Sequence, residues 1–66
     1  MKVTVNDETR ELPDGFTVAQ LIEHLGLSQA ICAAEVNQAI VPRGERERRE
    51  LHEGDRVEVV TLVGGG

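Results

Sequence analysis

The sequence predicts an α+β fold in which a single helix crosses one face of a mixed sheet of four to five strands. Three observations carry that expectation. Polar and apolar residues alternate at both ends of the chain, one well-capped amphipathic segment lies between them, and all of it fits into 66 residues. A chain of that length forms one domain with a modest core, burying about 60% of the surface its unfolded form exposes.

The elements follow in order. Lys2, Val3, Thr4 and Val5 alternate strictly, which reads as a strand with both valines on the buried face. Asn6, Asp7 and Glu8 supply turn chemistry, residues 9–12 return as a second arm, and Pro13-Asp14-Gly15 ends the hairpin. Thr17 is placed as a helix N-cap, with Gln20 three residues later completing a capping box. Phe16 and Leu21 occupy the two positions of a hydrophobic staple. Val18, Leu21, Ile22 and Leu25 make one apolar stripe, and Gly26 is set to stop the helix in the left-handed conformation.

So short a helix with one apolar face must lie on a sheet. Residues 31–36 form the next strand, with Cys32, Ala34 and Val36 on one face and Ile31, Ala33 and Glu35 on the other. Asn37-Gln38 turns the chain into Ala39-Ile40-Val41, which Pro42 ends. Leu51 is a lone apolar anchor, residues 52–55 form a turn, and residues 56–63 are the last strand. Its alternation is clean at Val57 and Val59, then gives way to Val60, Thr61, Leu62 and Val63, apolar or nearly so on both faces. The β-grasp is the commonest small fold with this order. The division expected is a domain over residues 1–63 and a flexible glycine arm over residues 64–66.

Composition excludes several functions. Twelve acids against seven bases leave a net charge of −5, which repels a phosphate backbone. One Phe and no Trp or Tyr leave little for bases to stack on, so no nucleic acid partner is expected. No apolar run approaches the roughly 20 residues of a membrane span and no signal-peptide pattern opens the sequence. Residues 43–50 hold four Arg and three Glu, for a local charge of +1. That run reads as a solvated loop or short surface helix, with Glu45/Arg49 and Arg46/Glu50 four apart.

Candidate catalytic groups are few. Cys32 is the only thiol and shares a face with Ala34 and Val36, where a cysteine acts as a small buried hydrophobe. His24 and His52 have no partner at ligand or triad spacing, and no metal site is expected. The carboxylate pairs Asp7/Glu8 and Glu45/Glu47 have no evident cleft to separate their pKa values. Catalysis within this chain is not expected.

Gly64, Gly65 and Gly66 remain. A frayed tail is the plain reading, but these glycines follow a strand with no polar spacer and close the sequence. Three extended residues carry a carboxylate about 10 Å beyond a sheet. Without side chains, such an arm enters a narrow cleft and lies flat against a partner. An α-carboxylate, with a reference pKa of about 3.3–3.7, is a poor electrophile at neutral pH and needs a leaving group before it accepts a nucleophile. Adenylation by ATP supplies one. The sequence has no phosphate-binding loop, so the ATP site belongs to a partner.

Three stretches give the chain its resemblance to a known family: Phe16-Thr17-Val18, the run Val36-Asn37-Gln38-Ala39-Ile40-Val41-Pro42-Arg43, and Gly54-Asp55-Arg56-Val57-Glu58-Val59-Val60 leading to Gly65-Gly66. Over its whole length it resembles the ThiS sulfur carriers of thiamine biosynthesis, which are ubiquitin-like β-grasp proteins. The resemblance implies that Gly66 bears the acyl adenylate and then the thiocarboxylate, with Gly64 and Gly65 as threading arm and Val60, Leu62 and Val63 as docking patch. It implies a ThiF-like adenylyltransferase that uses ATP, a cysteine desulfurase system that supplies sulfur, and a ThiG-like thiazole synthase that receives it, all in the cytoplasm. No cofactor is bound by the chain itself. The residues alone leave other readings open. These are a carrier for molybdopterin synthesis or another thiolation pathway, a ubiquitin-like protein modifier, and a plain binding module.

Overall fold

The computed structural model describes residues 1–28 and 31–62. It contains β1 (Lys2–Val5), β2 (Glu8–Glu11), α1 (Val18–His24), β3 (Cys32–Val36), β4 (Ala39–Ile40), a 3-10 turn (Arg43–Glu45) and β5 (Arg56–Thr61). The sheet has five strands in the order β2-β1-β5-β3-β4. Only β1 and β5 run parallel; every other pair is antiparallel. The last strand in sequence is thus the middle strand in space.

Both hairpins turn on two residues with positive φ, Asn6 (50°) and Asp7 (67°) in one, Asn37 (52°) and Gln38 (71°) in the other. That double left-handed conformation matches the right-handed twist of the flanking strands, and asparagine tolerates it better than most residues. The second arm begins one residue earlier than the sequence pattern places it, at Glu8, because a two-residue loop pairs Glu8 with Val5.

Helix α1 has the ends its sequence predicts. Thr17 Oγ1 accepts from the Gln20 amide at 3.1 Å, and Gln20 Oε1 accepts from the Thr17 amide at 2.8 Å. At the other end Gly26 has φ of 77°, and the Gly26 and Leu27 amides bond to Glu23 and Ile22, a Schellman closure. The stripe Val18, Leu21 and Ile22 is buried, while Leu25, as C-cap, is half-buried. These side chains join Val3, Val5, Leu12, Cys32, Ala34, Val36, Val41, Leu51, Val57 and Val59 in one core. Leu51 is among the most buried of all.

The charged segment is the mostly exposed loop its sequence suggests, opened by a 3-10 turn, but it lacks the ion pairs its spacing would allow. None of the ion pairs among the described residues joins Glu45 to Arg49 or Arg46 to Glu50. The reason lies in the backbone. After the 3-10 turn the chain runs along the start of α1, where the Val18 amide donates to the Arg49 carbonyl and the Ala19 amide to the Arg46 carbonyl. Helix termini leave their first amides without internal partners, and this segment supplies those partners. Thr17 and Glu50 form an isolated bridge beside them. The side chains are consequently spread by an irregular path rather than stacked at helical spacing.

Candidate functional site: the end of β5 and the open sheet face

The central strand is held by two asparagine side chains from the two hairpin turns. At the first turn β1 leaves the sheet, and Asn6 takes over its pairing with β5. Asn6 Nδ2 donates to the Val59 carbonyl at 3.1 Å and Asn6 Oδ1 accepts from the Val59 amide at 2.9 Å. A side-chain amide carries the same donor and acceptor as a peptide group, so Asn6 extends the ladder by one step. On the β3 side, Asn37 Oδ1 accepts from the Arg56 amide at 2.9 Å, and its Nδ2 donates to Asp55 Oδ1 at 3.0 Å. Asp55 Oδ2 accepts from the His52 amide at 2.8 Å. Asp55 is the one buried charged residue among those described, and both its oxygens are bonded, as a buried carboxylate requires. The start and middle of β5 are therefore clamped from both sides.

Past Val59 the support becomes one-sided. The parallel pairing with β1 covers only Arg56 and Val57. Pairing with β3 continues through Val60 opposite Ala33 and Thr61 opposite Cys32, and the Leu62 amide donates to the Ile31 carbonyl at 2.8 Å. Thr61 and Leu62 thus lie alongside Cys32 and Ile31.

Of the expected docking residues, Val60 and Leu62 are each about half exposed, at 55% and 54%. Val63 and the arm residues Gly64, Gly65 and Gly66 lie outside the described residues. The strict alternation that places Val57 and Val59 in the core sends Val60 and Leu62 to the opposite, helix-free face. There they meet Ala33 and Ile31 of the neighbouring strand, and Ile31 is 64% exposed. Ile40, 73% exposed, pairs with Glu35 on the same face. No local signal marks Ile31 or Ile40 as a docking residue; the place of Ile31 follows from the alternation of residues 31–36 with antiparallel pairing to β5, and that of Ile40 from its pairing with Glu35. An exposed apolar cluster rimmed by polar residues is a candidate interaction surface.

Next to this cluster Glu35 sits directly opposite Glu58. Like charges facing each other across strands are unfavourable, and no cation among the described residues bridges them. Arg56, the nearest cation in sequence, is engaged by Asp7.

The remaining candidates fall in structural roles. Cys32 is buried, as its strand position implies, but it has a neighbour that its sequence surroundings do not reveal. Arg46 Nη2 donates to the Cys32 carbonyl at 2.6 Å, with Nη1 3.8 Å from the sulfur. His24 is exposed and packs edge-on against Phe16, with ring centroids 6.1 Å apart. His52 is largely exposed beside Asp55. No group of three potential metal ligands occurs among the described residues. Nor is any helix among them long and apolar enough to cross a membrane.

A mixed five-stranded sheet with its last strand central, one helix on one face and the other face open defines a ubiquitin-like β-grasp protein. The chain belongs to the ThiS family, whose profile matches residues 3–66, the three terminal glycines included. It is 33% identical over 66 residues to the sulfur carrier protein ThiS of Escherichia coli K12, covering the whole of both chains. It is 35% identical to a thiazole synthase of Paramagnetospirillum magneticum, of which it spans 20% of the length. Among solved structures, the thiamine biosynthesis protein ThiS from Geobacter metallireducens superposes with a TM-score of 0.84 at 28% identity, with both chains fully covered.

Proposed function

We propose that this protein is a sulfur carrier for thiamine biosynthesis. It presents the carboxylate of Gly66 for adenylation and delivers sulfur as a thiocarboxylate for thiazole formation. The observation that carries the reading is a β-grasp domain whose central strand ends at Thr61, two residues short of Gly64-Gly65-Gly66 in the sequence, within a family match that extends to the last residue.

The chemistry follows from the group presented. A ThiF-like adenylyltransferase directs the Gly66 carboxylate onto the α-phosphate of ATP, with loss of pyrophosphate. A persulfide from a cysteine desulfurase system then attacks the acyl carbon, and AMP leaves with the bonding electrons. Reduction of the resulting acyl disulfide by a thiol releases the thiocarboxylate. ATP is bound by the partner, and the carrier supplies no catalytic group; its domain holds β5 and offers Val60, Leu62 and Val63 with Ile31 as the docking surface. The thiazole synthase relative, of which this chain matches a fifth, supports thiazole synthase as the recipient, since there a ThiS-like segment and the synthase share one polypeptide. These steps belong in the cytoplasm, where ATP and the desulfurase system are available.

The test is intact-mass measurement of the protein after incubation with its activating enzyme, ATP and a sulfur source. The mass gain of oxygen replaced by sulfur is expected on the full chain and not on a chain lacking Gly66. An unchanged mass, or a gain that survives the deletion, sinks the proposal.

A further inference from the structure

The charged segment ends beside a groove that the carrier chemistry does not use. It is a concavity of about 260 Å³ lined by Ala39, Ile40, Val41 and Pro42 on one side and by Glu45, Arg48 and Arg49 on the other. The volume suits one or two aliphatic side chains. Among the described residues, the Arg48 and Arg49 side chains bond only to backbone carbonyls, those of Gly44 and Glu50. Neither guanidinium has a carboxylate within ion-pair distance among the described residues.

That is unexpected in a chain with twelve acids and seven bases. Carboxylates are abundant, Glu45 even lines the same groove, and still these two cations are left with unused donors. Arginine's planar set of donors suits bidentate recognition of a carboxylate, and its charge is retained at any accessible pH. An aliphatic floor next to free guanidinium groups is complementary to an apolar side chain flanked by acids.

The geometry points to this groove as a second docking site, occupied by an acidic segment of the adenylating partner. That segment seats an aliphatic residue against Ala39, Val41 and Pro42 and sets carboxylates on Arg48 and Arg49. The inference rests on the carrier reading and adds to it a contact on β4 and the turn beyond it. A protein segment is favoured over nucleic acid because the rest of the molecule is strongly acidic and Phe16 is its only aromatic residue. The site would act by steering encounter and holding register, as charges at an interface rim do, and would leave the chemical step untouched.

The experiment is steady-state kinetics of carrier-dependent ATP–pyrophosphate exchange by the adenylating enzyme of the same organism, at low and high salt. For the natural sequence KM should rise with salt. In the R48E/R49E protein KM at low salt should rise about tenfold with kcat unchanged, and the salt dependence should flatten or invert. R48K/R49K, which keeps the charge, should fall between the two. Thermal melting verifies folding, and R48E alone replaces the double variant if that unfolds. A folded R48E/R49E protein with unaltered KM overturns the groove assignment and leaves the carrier reading standing. If the natural sequence is itself not adenylated, the carrier reading fails and the inference with it. Retention of the natural protein, but not R48E/R49E, on tRNA would assign the guanidinium groups to phosphate and overturn the acidic-segment occupant.

Discussion

Replacing Asn6 by alanine removes a side chain that acts as a piece of the sheet. Two bonds to Val59 are lost, at 3.1 and 2.9 Å. Each such bond is worth about 0.5–1.5 kcal/mol net. Alanine must also hold the positive φ of 50° that Asn6 adopts, at a further cost of about 1–2 kcal/mol. The total expected is about 2–5 kcal/mol, most of what a core of this size supplies. Glycine separates the two contributions, because it takes positive φ without strain but restores neither bond. Asn6→Gly should therefore lose about 1–3 kcal/mol, with Asn6→Ala lower still. Aspartate at this position keeps an acceptor for the Val59 amide but places an anion against the Val59 carbonyl, so Asn6→Asp should be no better than glycine. Urea unfolding followed by circular dichroism gives the free energies, and amide exchange at Val59 gives the local effect. If glycine and alanine variants match the natural protein within about 0.5 kcal/mol, below the loss of a single bond, the clamp does not hold β5 and the reasoning is wrong.

Other expectations are narrower. Asp55→Ala strips the partners from the His52 amide and Asn37 Nδ2 and should cost about 2 kcal/mol, measured by thermal melting. Leu51→Ala opens a cavity at a fully buried site and should cost about 2–5 kcal/mol, so the variant should be largely unfolded by circular dichroism at room temperature. Glu58→Lys replaces a repulsive cross-strand pair with an attractive one and should stabilise the free protein by up to about 1 kcal/mol. If the Glu35/Glu58 pair serves docking, the same change should raise KM for adenylation. Leu62→Asp leaves the melting temperature unchanged, since the side chain is half exposed, yet should reduce sulfur loading seen by intact mass.

The elements that could be read from the sequence are those whose signals are local. The capping box at Thr17 and Gln20, the stop at Gly26, and the valines alternating in β1 and β5 each depend on residues a few positions apart, and all appear where the pattern places them. What was not legible depends on residues brought together from afar. Asn6 reads as a turn residue, and only the parallel placement of β5 beside β1 turns its side chain into a ladder rung, 53 positions away. Asp55 reads as part of a solvated turn, but Asn37 covers it. The segment of residues 43–50 reads as surface charge, whereas its backbone is the cap of α1 and its Arg46 reaches Cys32. The apolar excess after Val59 is visible as a broken pattern, and the exposed partner it meets, Ile31, comes from a pairing no local rule supplies.

The position of β5 also bears on how the molecule is made. It follows the other described strands in sequence, yet it lies between β1 and β3 and links the two hairpins of the sheet. Until residues 56–61 are available the hairpins are separate, marginal units, and the sheet closes only through contacts distant in sequence, which form slowly. A product ended prematurely before β5 therefore has no folded state to reach and is left to proteolysis. Folding itself thus selects for chains whose synthesis has proceeded through β5.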